Sequence, residues 1–453
     1  MLKKIKLKFK SFFSEGHSRT LLAKKNVAIS FLIKGGSILI GLILVPLTIN
    51  YISPTQYGIW LTLSSIISWF SFFDIGLGNG LKNKLSETSA LGQNEKGQVY
   101  VSTTYAILIL ISFFVFLLFL CINPFLNWKD ILNTSNYEGE SLNLVALTIV
   151  SFFCISFVIQ LINTILAANH KPAKSSLISL IGSLFSLILI FILTKYTDAS
   201  LIKLVLVLAG VPLIVQVISS VWLFRTSLIS IAPKFKLIDF KYAKELLSVG
   251  SVFFIIQIGA LVLFQTDNIV ITQLFGPKEV TIFNIAYKLF SVVIMVFTII
   301  ITPFWSAFSD AYTKKDMDWI KGVITKMQKY WLLLIVLTIC LLLISPLVFQ
   351  LWLGDSVKIP FTLSVAMTIY VIAYTWQTIH VFLLNGIGKV RLQLYLVVIS
   401  AVVNIPLAIF LGKKIGLAGI TFSNAILFII MGIIFSIQCK KILNNSASGI
   451  WLK

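Results

Sequence analysis

Four ionisable side chains stand within long apolar stretches of this 453-residue chain: Lys34, Asp74, Asp267 and Lys288. An unpaired charge in hydrocarbon costs several kcal/mol, so such a side chain usually faces a partner or a water-filled cavity instead of lipid. The lysines could receive an anionic group, and the aspartates could hold the lysines or bind a coupling ion. Together the four residues predict a polar pathway inside an apolar shell.

The four charges fall on two helical hairpins. Lys34 and Asp74 belong to the first, whose apolar segments are joined by the turn Ser53–Thr55, and Asp267 and Lys288 belong to the second. Within each hairpin the lysine and the aspartate are expected at a similar depth, close enough to pair. Two interpretations stay open. The charges line a route for an anionic cargo, or they form ion pairs that only fix the packing of the helices.

Trp376 and His380 lie four residues apart on one face of a later apolar segment. They could offer a stacking ring beside a titratable group, although a single histidine in a span more often packs against its neighbours. Interhelical hydrogen bonds explain the remaining polar residues of the apolar segments equally well. These residues are Gln160, Asn163, Gln257, Asn284, Gln377 and Asn385.

The elements that must position these residues are membrane-spanning helices. Hydrophobic residues make up 58% of the chain and charged residues 12%, and the mean hydropathy is +0.98, beyond the range of soluble domains. A helix needs roughly 20 apolar residues to cross a hydrocarbon layer of ~30 Å. We predict an all-α integral membrane protein with twelve transmembrane helices. The candidate spans are 26–52, 56–80, 98–121, 143–167, 175–195, 201–225, 247–272, 281–304, 330–350, 362–384, 391–412 and 415–438.

The formal net charge of +21 is concentrated in the tails and in alternate loops. This placement follows the positive-inside rule, so it predicts cytoplasmic termini and argues against nucleic acid as a partner. The first 25 residues interleave lysines with apolar residues and lack a cleavage site, which is typical of an amphipathic tail. The four cysteines are scattered in or beside apolar segments, so neither disulfides nor a metal site is expected.

A basic stretch, 226–246, divides the predicted helices into six and six. A constant shift between the halves aligns Pro54 with Pro277 and Gly36 with Gly259, which indicates two parallel repeats around a central cavity. The predicted organisation is therefore a tail over 1–25, an N-lobe over 26–225, a linker over 226–246, a C-lobe over 247–438 and a second tail over 439–453.

Motifs of soluble enzymes are missing from the sequence. It has no Walker-type phosphate loop, no zinc-ligand spacing and no nucleophile elbow. The extracytoplasmic loops are short; the longest runs from 122 to 142. No catalytic activity and no cofactor are expected.

Three sequence runs carry a family resemblance. They are FFDIGLGNGLKNK over Phe72–Lys84, then DNIVITQLFG with FNIAYKL inside Asp267–Leu289, and PFWSAF over Pro303–Phe308. They resemble the bacterial polysaccharide flippases, which export O-antigen and capsule repeat units, within the multidrug/oligosaccharidyl-lipid/polysaccharide exporter superfamily. The likeness extends over 26–438.

The resemblance implies two six-helix lobes around a central, often cationic cavity that opens alternately to the two sides of the bacterial inner membrane. The implied cargo is an undecaprenyl-diphosphate-linked oligosaccharide for lipopolysaccharide or capsule, and Lys34 and Lys288 would meet its diphosphate. Asp74 and Asp267 would hold those lysines or couple an ion. Membrane lipids, a glycan polymerase and a chain-length regulator are the implied partners.

Two other functions remain open. A cation-coupled multidrug antiporter of the same superfamily would need unpaired acidic residues in the cavity. A glycan polymerase or ligase is disfavoured, because such enzymes usually carry catalytic acids on larger external loops.

Overall fold

The computed structural model describes residues 18–69, 74, 76–135, 137–169, 171–246, 266–302 and 304–452. Helices are the only regular secondary structure in these residues, which contain no β-strand. The all-α prediction is confirmed. The predicted polar residue Gln257 and the beginning of the predicted first tail, 1–17, lie outside the described part of the chain.

The described part of the N-half, within residues 18–246, contains ten complete α-helices, and residues 243–246 begin another. The ten are α1 Ser18–Tyr51, α2 Pro54–Ser68, α3 Leu77–Ala90, α4 Asn94–Ile122, α5 Trp128–Ile131, α6 Leu142–Ile159, α7 Leu161–Ala168, α8 Pro172–Tyr196, α9 Leu201–Val205 and α10 Val211–Arg225. A π-helical turn, Leu206–Gly210, joins α9 to α10. Because α1 already begins at Ser18, the end of the predicted tail 1–25 is helical.

The described part of the C-half, within residues 266–452, contributes seven helices. They are α11, described over 266–275, then α12 Pro277–Ile301, α13 Phe304–Thr313, α14 Met317–Leu353, α15 Phe361–Gly386, α16 Arg391–Ile415 and α17 Leu417–Leu443.

Ten helical segments of the described chain are long and apolar enough to cross a membrane. They coincide with ten of the twelve predicted spans. The second predicted span, 56–80, corresponds to α2 and the start of α3, with 70–73 and Ile75 outside the described residues. Most of the seventh, 247–272, is also outside them. The count of twelve spans therefore stays a prediction.

The two aligned prolines both begin a helix. Ser53 caps α2 through a capping box with Gln56, and Pro54 occupies the first turn, where a missing N–H costs nothing. Pro277 begins α12 directly after Gly276, whose φ of +92° suits glycine. The two helices cross closely, because a Cβ at Gly58 would lie 1.7 Å from the Pro277 carbonyl oxygen.

Packing holds each half together and joins the halves along a narrow seam. In the N-half α1 packs on α8, and α4 packs on α3 and α6; in the C-half α17 packs on both α15 and α16. The seam between the halves runs where α12 lies against α2 and α1. Large apolar side chains cover much of the outer surface of the spans, as expected for helices that face lipid.

Candidate functional site

A cavity of about 500 Å³ lies where α2 of the N-half meets four helices of the C-half. Most of its lining residues carry an uncharged polar group: a hydroxyl, an amide or a tyrosine ring. The lining residues are Leu61, Ser64, Ser65, Ser68, Asp267, Asn268, Phe283, Asn284, Tyr287, Ile294, Met367, Tyr370, Tyr374, Thr421 and Asn424. Within this described lining Asp267 is the one charged residue, so the cationic cavity that the family resemblance implied is not found here.

Asp267 is held by a hydrogen bond within the C-half. Its side chain is 8% exposed, and its Oδ2 accepts a hydrogen bond of 2.7 Å from Nδ2 of Asn424 on α17. Asn424 in turn accepts a hydrogen bond of 2.6 Å from Asn404 on α16. The other carboxyl oxygen, Oδ1, is buried without a hydrogen-bond partner among the described residues. A buried acceptor left unpaired costs about 1–3 kcal/mol, so this oxygen is a place for a proton, a cation or a ligand donor.

Asn268, the next residue, joins the two halves. Its Nδ2 donates to Oγ of Ser65 on α2 at 2.6 Å, and its Oδ1 accepts from Nδ2 of Asn284 on α12 at 2.8 Å. A continuous line of hydrogen bonds therefore runs from α12 through α11 to α2 at the edge of the cavity.

Further hydrogen bonds between the halves follow on the side of the Pro54 and Pro277 turns. The hydroxyls of Thr62 and Thr272 are 2.7 Å apart, and the Thr281 hydroxyl donates to the Pro54 carbonyl at 2.6 Å. Nδ2 of Asn133 also reaches the Thr272 carbonyl oxygen at 3.3 Å. These contacts tie the halves together beyond the cavity, toward the two turns.

Aromatic rings form one wall of the cavity. Tyr370 and Tyr374 on α15 lie with their rings stacked, 6.1 Å between centroids and 16° between planes. Tyr287 meets Tyr370 edge-on at 6.1 Å, and Phe428 of α17 packs edge-on against both α15 tyrosines. The wall therefore presents flat apolar surface together with phenolic hydroxyls.

Asp74 lies in a different cavity, of about 260 Å³, inside the N-half. Its two carboxyl oxygens accept hydrogen bonds from the backbone N–H groups of Gly76, at 2.9 Å, and Gly78, at 3.2 Å, at the start of α3. Polar side chains at the break between α6 and α7 line the same cavity, among them Gln160 and Asn163, which the sequence had already marked as polar positions.

The ion pairs that were one of the two interpretations from the sequence are not formed among the described residues. Salt bridges among the described residues are Lys84–Glu87 and Lys314–Asp310, so pairing of Lys34 with Asp74, and of Lys288 with Asp267, is wrong. At Asp74 backbone amides occupy both carboxyl oxygens. At Asp267 an asparagine of α17 occupies one oxygen, and the Lys288 side chain lies at Gly41 of α1 and does not reach the other.

Both lysines are associated with α1 instead. Lys34 is exposed on α1, and Lys288 is partly buried on α12 with its side chain directed at α1. A Cβ at Gly41 would lie 3.5 Å from Cε and 3.8 Å from Nζ of Lys288. Neither lysine belongs to the described lining of the 500 Å³ cavity.

Trp376 and His380 also lie outside that lining. Their rings meet edge-on at 5.6 Å, Nδ1 of His380 is 3.1 Å from the Trp376 carbonyl oxygen, and His380 is only 2% exposed. A Cβ at Gly432 of α17 would lie 2.7 Å from the Trp376 ring, so this face of α15 packs against α17. Trp376 and His380 thus lie on α15, but on a different face from the residues of this helix that line the cavity.

Several cavity residues were not predicted from the sequence, above all the serines of α2 and the tyrosines of α15. Their spacing carries a signal, because Ser64, Ser65 and Ser68 share one helical face, as do Met367, Tyr370 and Tyr374. Asn404 and Asn424 carry no such signal, since each is a single amide in an apolar helix.

Comparison with known proteins identifies the family. A family model described as polysaccharide biosynthesis protein matches residues 23–309. A protein of Yersinia pseudotuberculosis named for O-antigen export is 21% identical over 370 residues, covering 78% of this chain and 81% of its own length. One of Salmonella typhimurium named as an O-antigen transporter is 22% identical over 387 residues, with coverages of 84% and 87%.

Solved structures identify the fold. A multidrug resistance MATE transporter of the MOP superfamily, in its inward-facing conformation, superposes with a TM-score of 0.73 at 14% identity, covering 93% of this chain and 98% of that one. An outward-facing MATE transporter gives 0.60 at 15% identity, with coverages of 93% and 96%. A MOP-superfamily transporter from Pyrococcus furiosus gives 0.61 at 14% identity, with coverages of 94% and 95%.

These relatives are named for export and transport, and the fold neighbours are transporters, which agrees with the prediction that the chain is not an enzyme. The chain is a multi-pass membrane protein with the two-lobed MOP transporter fold, and it belongs to the polysaccharide biosynthesis protein family of exporters.

Proposed function

We propose that this protein is a flippase for undecaprenyl-diphosphate-linked oligosaccharide repeat units. It moves them from the cytoplasmic to the periplasmic leaflet of a bacterial inner membrane by alternating access, for O-antigen, lipopolysaccharide or capsule synthesis. Both termini lie in the cytoplasm, and a glycan polymerase and a chain-length regulator act after it. The relatives named for O-antigen export support this cargo.

The composition of the 500 Å³ cavity is the observation that carries the proposal. Tyrosine rings, amides and hydroxyls suit the apolar faces and hydroxyl groups of sugars, and the described lining holds no lysine or arginine for a diphosphate. The cavity therefore receives the glycan, and the diphosphate binds elsewhere.

The diphosphate site of this proposal follows one face of α1. Lys34 and Gly41 are seven residues apart, two helical turns, so they share a face and lie about 10 Å apart along the axis. Lys288 reaches this face at Gly41 from α12. Leu39 and Ile43, on the opposite side of α1, are exposed apolar residues that face the lipid. An anionic headgroup can thus meet both lysines while its lipid tail stays in the bilayer.

Energy coupling is assigned to Asp267. Its Oδ1 has no hydrogen-bond partner among the described residues and lies at the cavity, where it can bind a proton or a cation as the lobes move. Asp74, in its separate N-half cavity, is the second candidate for ion coupling. Trp376 and His380, proposed from the sequence as cargo contacts, are left with the packing role that their surroundings support.

Transport in proteoliposomes tests the function. The full chain is reconstituted with the lipid-linked repeat unit extracted from its host, and sugars that reach the outer leaflet are oxidised enzymatically. Lys288→Gln is expected to slow flipping at least tenfold, about 1.4 kcal/mol in free energy, while Lys288→Arg retains it. If vesicles that contain the wild-type protein expose no more glycolipid than protein-free vesicles, the flippase function itself is contradicted.

A cation-coupled multidrug antiporter is the second candidate. The observation that favours it is the combination of one carboxyl group with an aromatic wall, which also suits an organic cation. Proton-driven efflux of a cationic dye from the same vesicles, without glycolipid flipping, would select this function.

A further inference from the structure

The stretch that connects the two halves is attached to the N-half. Residues 229–242 form three short 3₁₀ turns beside the first part of α4. Nε2 of Gln98 donates to the Ala232 carbonyl, and the Ser102 hydroxyl accepts from the Lys234 N–H at 2.9 Å. The Thr103 hydroxyl accepts from the N–H of Asp239 at 3.1 Å. This anchoring gives the stretch a defined outer surface.

That outer surface combines exposed aromatic rings with lysines. Phe235 is 89% exposed and Phe240 is 54% exposed, and neither has a partner ring among the described residues. Four exposed lysines flank the two rings in sequence: Lys234, Lys236, Lys241 and Lys244. We call these six side chains the linker patch.

The acidic side chains near the linker patch already accept hydrogen bonds from neighbouring residues. Oδ1 of Asp239 accepts the N–H of Lys241, and Oε2 of Glu245 accepts the Tyr100 hydroxyl at 2.7 Å. The described residues form no salt bridge with a lysine of the patch. The patch therefore presents net positive charge.

The attachment to α4 sets the depth of the linker patch. The described lipid-facing apolar residues of α4 begin at Ile109, which is 48% exposed. Thr103 precedes Ile109 by six residues, about 9 Å along the helix axis. The headgroup layer on each side of a bilayer is roughly 5–8 Å thick. The patch is thus attached at the outer edge of the lipid headgroup layer.

We propose that the linker patch binds the anionic headgroups of the adjacent leaflet, with Phe235 and Phe240 inserted at the interface and the lysines on lipid phosphates. Aromatic rings and lysines in this combination are the signature of an interfacial anchor. The anchor would hold the N-half against the leaflet while the C-half moves, and it does not depend on which cargo is carried.

A fluorescent label at position 235 tests this anchor. The variant Phe235→Cys is made in a full chain whose exposed Cys121 and Cys340 are replaced by alanine, and it is labelled with bimane. Quenching by lipids brominated near the headgroup and by aqueous iodide is measured in bilayers with and without phosphatidylglycerol. Ser446→Cys, in an exposed polar turn, is the matched control.

Strong quenching by brominated lipid and protection from iodide are expected at position 235 and not at position 446. Lipid quenching should fall roughly twofold without phosphatidylglycerol, and also when the four lysines become glutamine, because the attraction is electrostatic. Full exposure to iodide in every bilayer would overturn the proposal. So would protection from both quenchers, which would indicate a protein partner. Repeating the measurement with Phe240→Cys guards against a local effect of the label.

Discussion

Asp74 and Asp267 show how one residue type serves two different ends in the two halves. Asp74 gives both oxygens to backbone N–H groups two and four residues later, so its surroundings are local in sequence. Asp267 receives one amide from α17 and has a second, buried oxygen without a partner among the described residues. The first carboxylate starts a helix, whereas the second depends on tertiary packing and can respond when that packing changes.

The largest expected effect is on the rate of transport, and it should differ between variants of the two aspartates. Asp267→Asn keeps the shape of the side chain and removes its charge, so flipping should fall at least tenfold if the carboxyl couples an ion. Asp74→Asn should lower flipping much less, because the asparagine side-chain oxygen can still accept a hydrogen bond from the backbone at the start of α3. The proteoliposome assay measures both variants, and equal losses would remove the distinction between the two sites.

Asn424→Ala should destabilise the C-half by about 1–3 kcal/mol, because it leaves Asp267 without its amide donor in a buried site. Thermal unfolding of the purified protein in detergent reports the loss. Asn404→Ala is the matched control one step further from the carboxyl, and we expect a smaller decrease. If unfolding of Asn424→Ala matches the wild type, the Asn424–Asp267 contact does not stabilise the fold.

Asp74→Ala should cost about 1–3 kcal/mol, because the backbone N–H groups of Gly76 and Gly78 lose their acceptor at the start of α3. The same unfolding measurement applies, with Asp74→Asn, which keeps one side-chain oxygen as an acceptor, as the comparison variant. If Asp74→Asn were as unstable as Asp74→Ala, the carboxylate would have a role beyond accepting these backbone hydrogen bonds.

The smallest effect concerns the seam between the halves. Thr281→Val removes the hydrogen bond to the Pro54 carbonyl and keeps the side-chain volume. The contact between the two halves at the Pro54 and Pro277 turns should therefore be destabilised by about 1 kcal/mol. Spin labels at the exposed residues Ser53 and Lys278 would then show a larger fraction of long distances between the two turns. Thr298→Val, which loses only a hydrogen bond within α12, should leave the distances unchanged.

Much of the fold follows from sequence because its causes are local. Apolar segments of sufficient length specify spanning helices, and Pro54 and Pro277 begin helices because proline suits the first turn. The runs around Asp74 and Asp267 likewise carried the family resemblance, and the family match confirms it.

The sequence did not predict which neighbouring residues Asp267 and Lys288 contact. Counting along a hairpin predicts depth in the membrane, and it correctly suggested that Lys288 and Asp267 lie on neighbouring helices. It does not predict rotation about the helix axis, which advances by about 100° per residue. A small rotation directs Lys288 at Gly41 of α1 and leaves Asp267 to Asn424.

The sequence by itself therefore determined that this chain is an all-helical membrane transporter of the polysaccharide exporter family, since length, composition and short motifs suffice for that. Only the tertiary structure decided that the cavity between the halves is lined by serines, asparagines and tyrosines, with the lysines outside its described lining. The reason is that a cavity lining is assembled from single faces of five helices, and which face each helix presents is set by packing between elements distant in sequence.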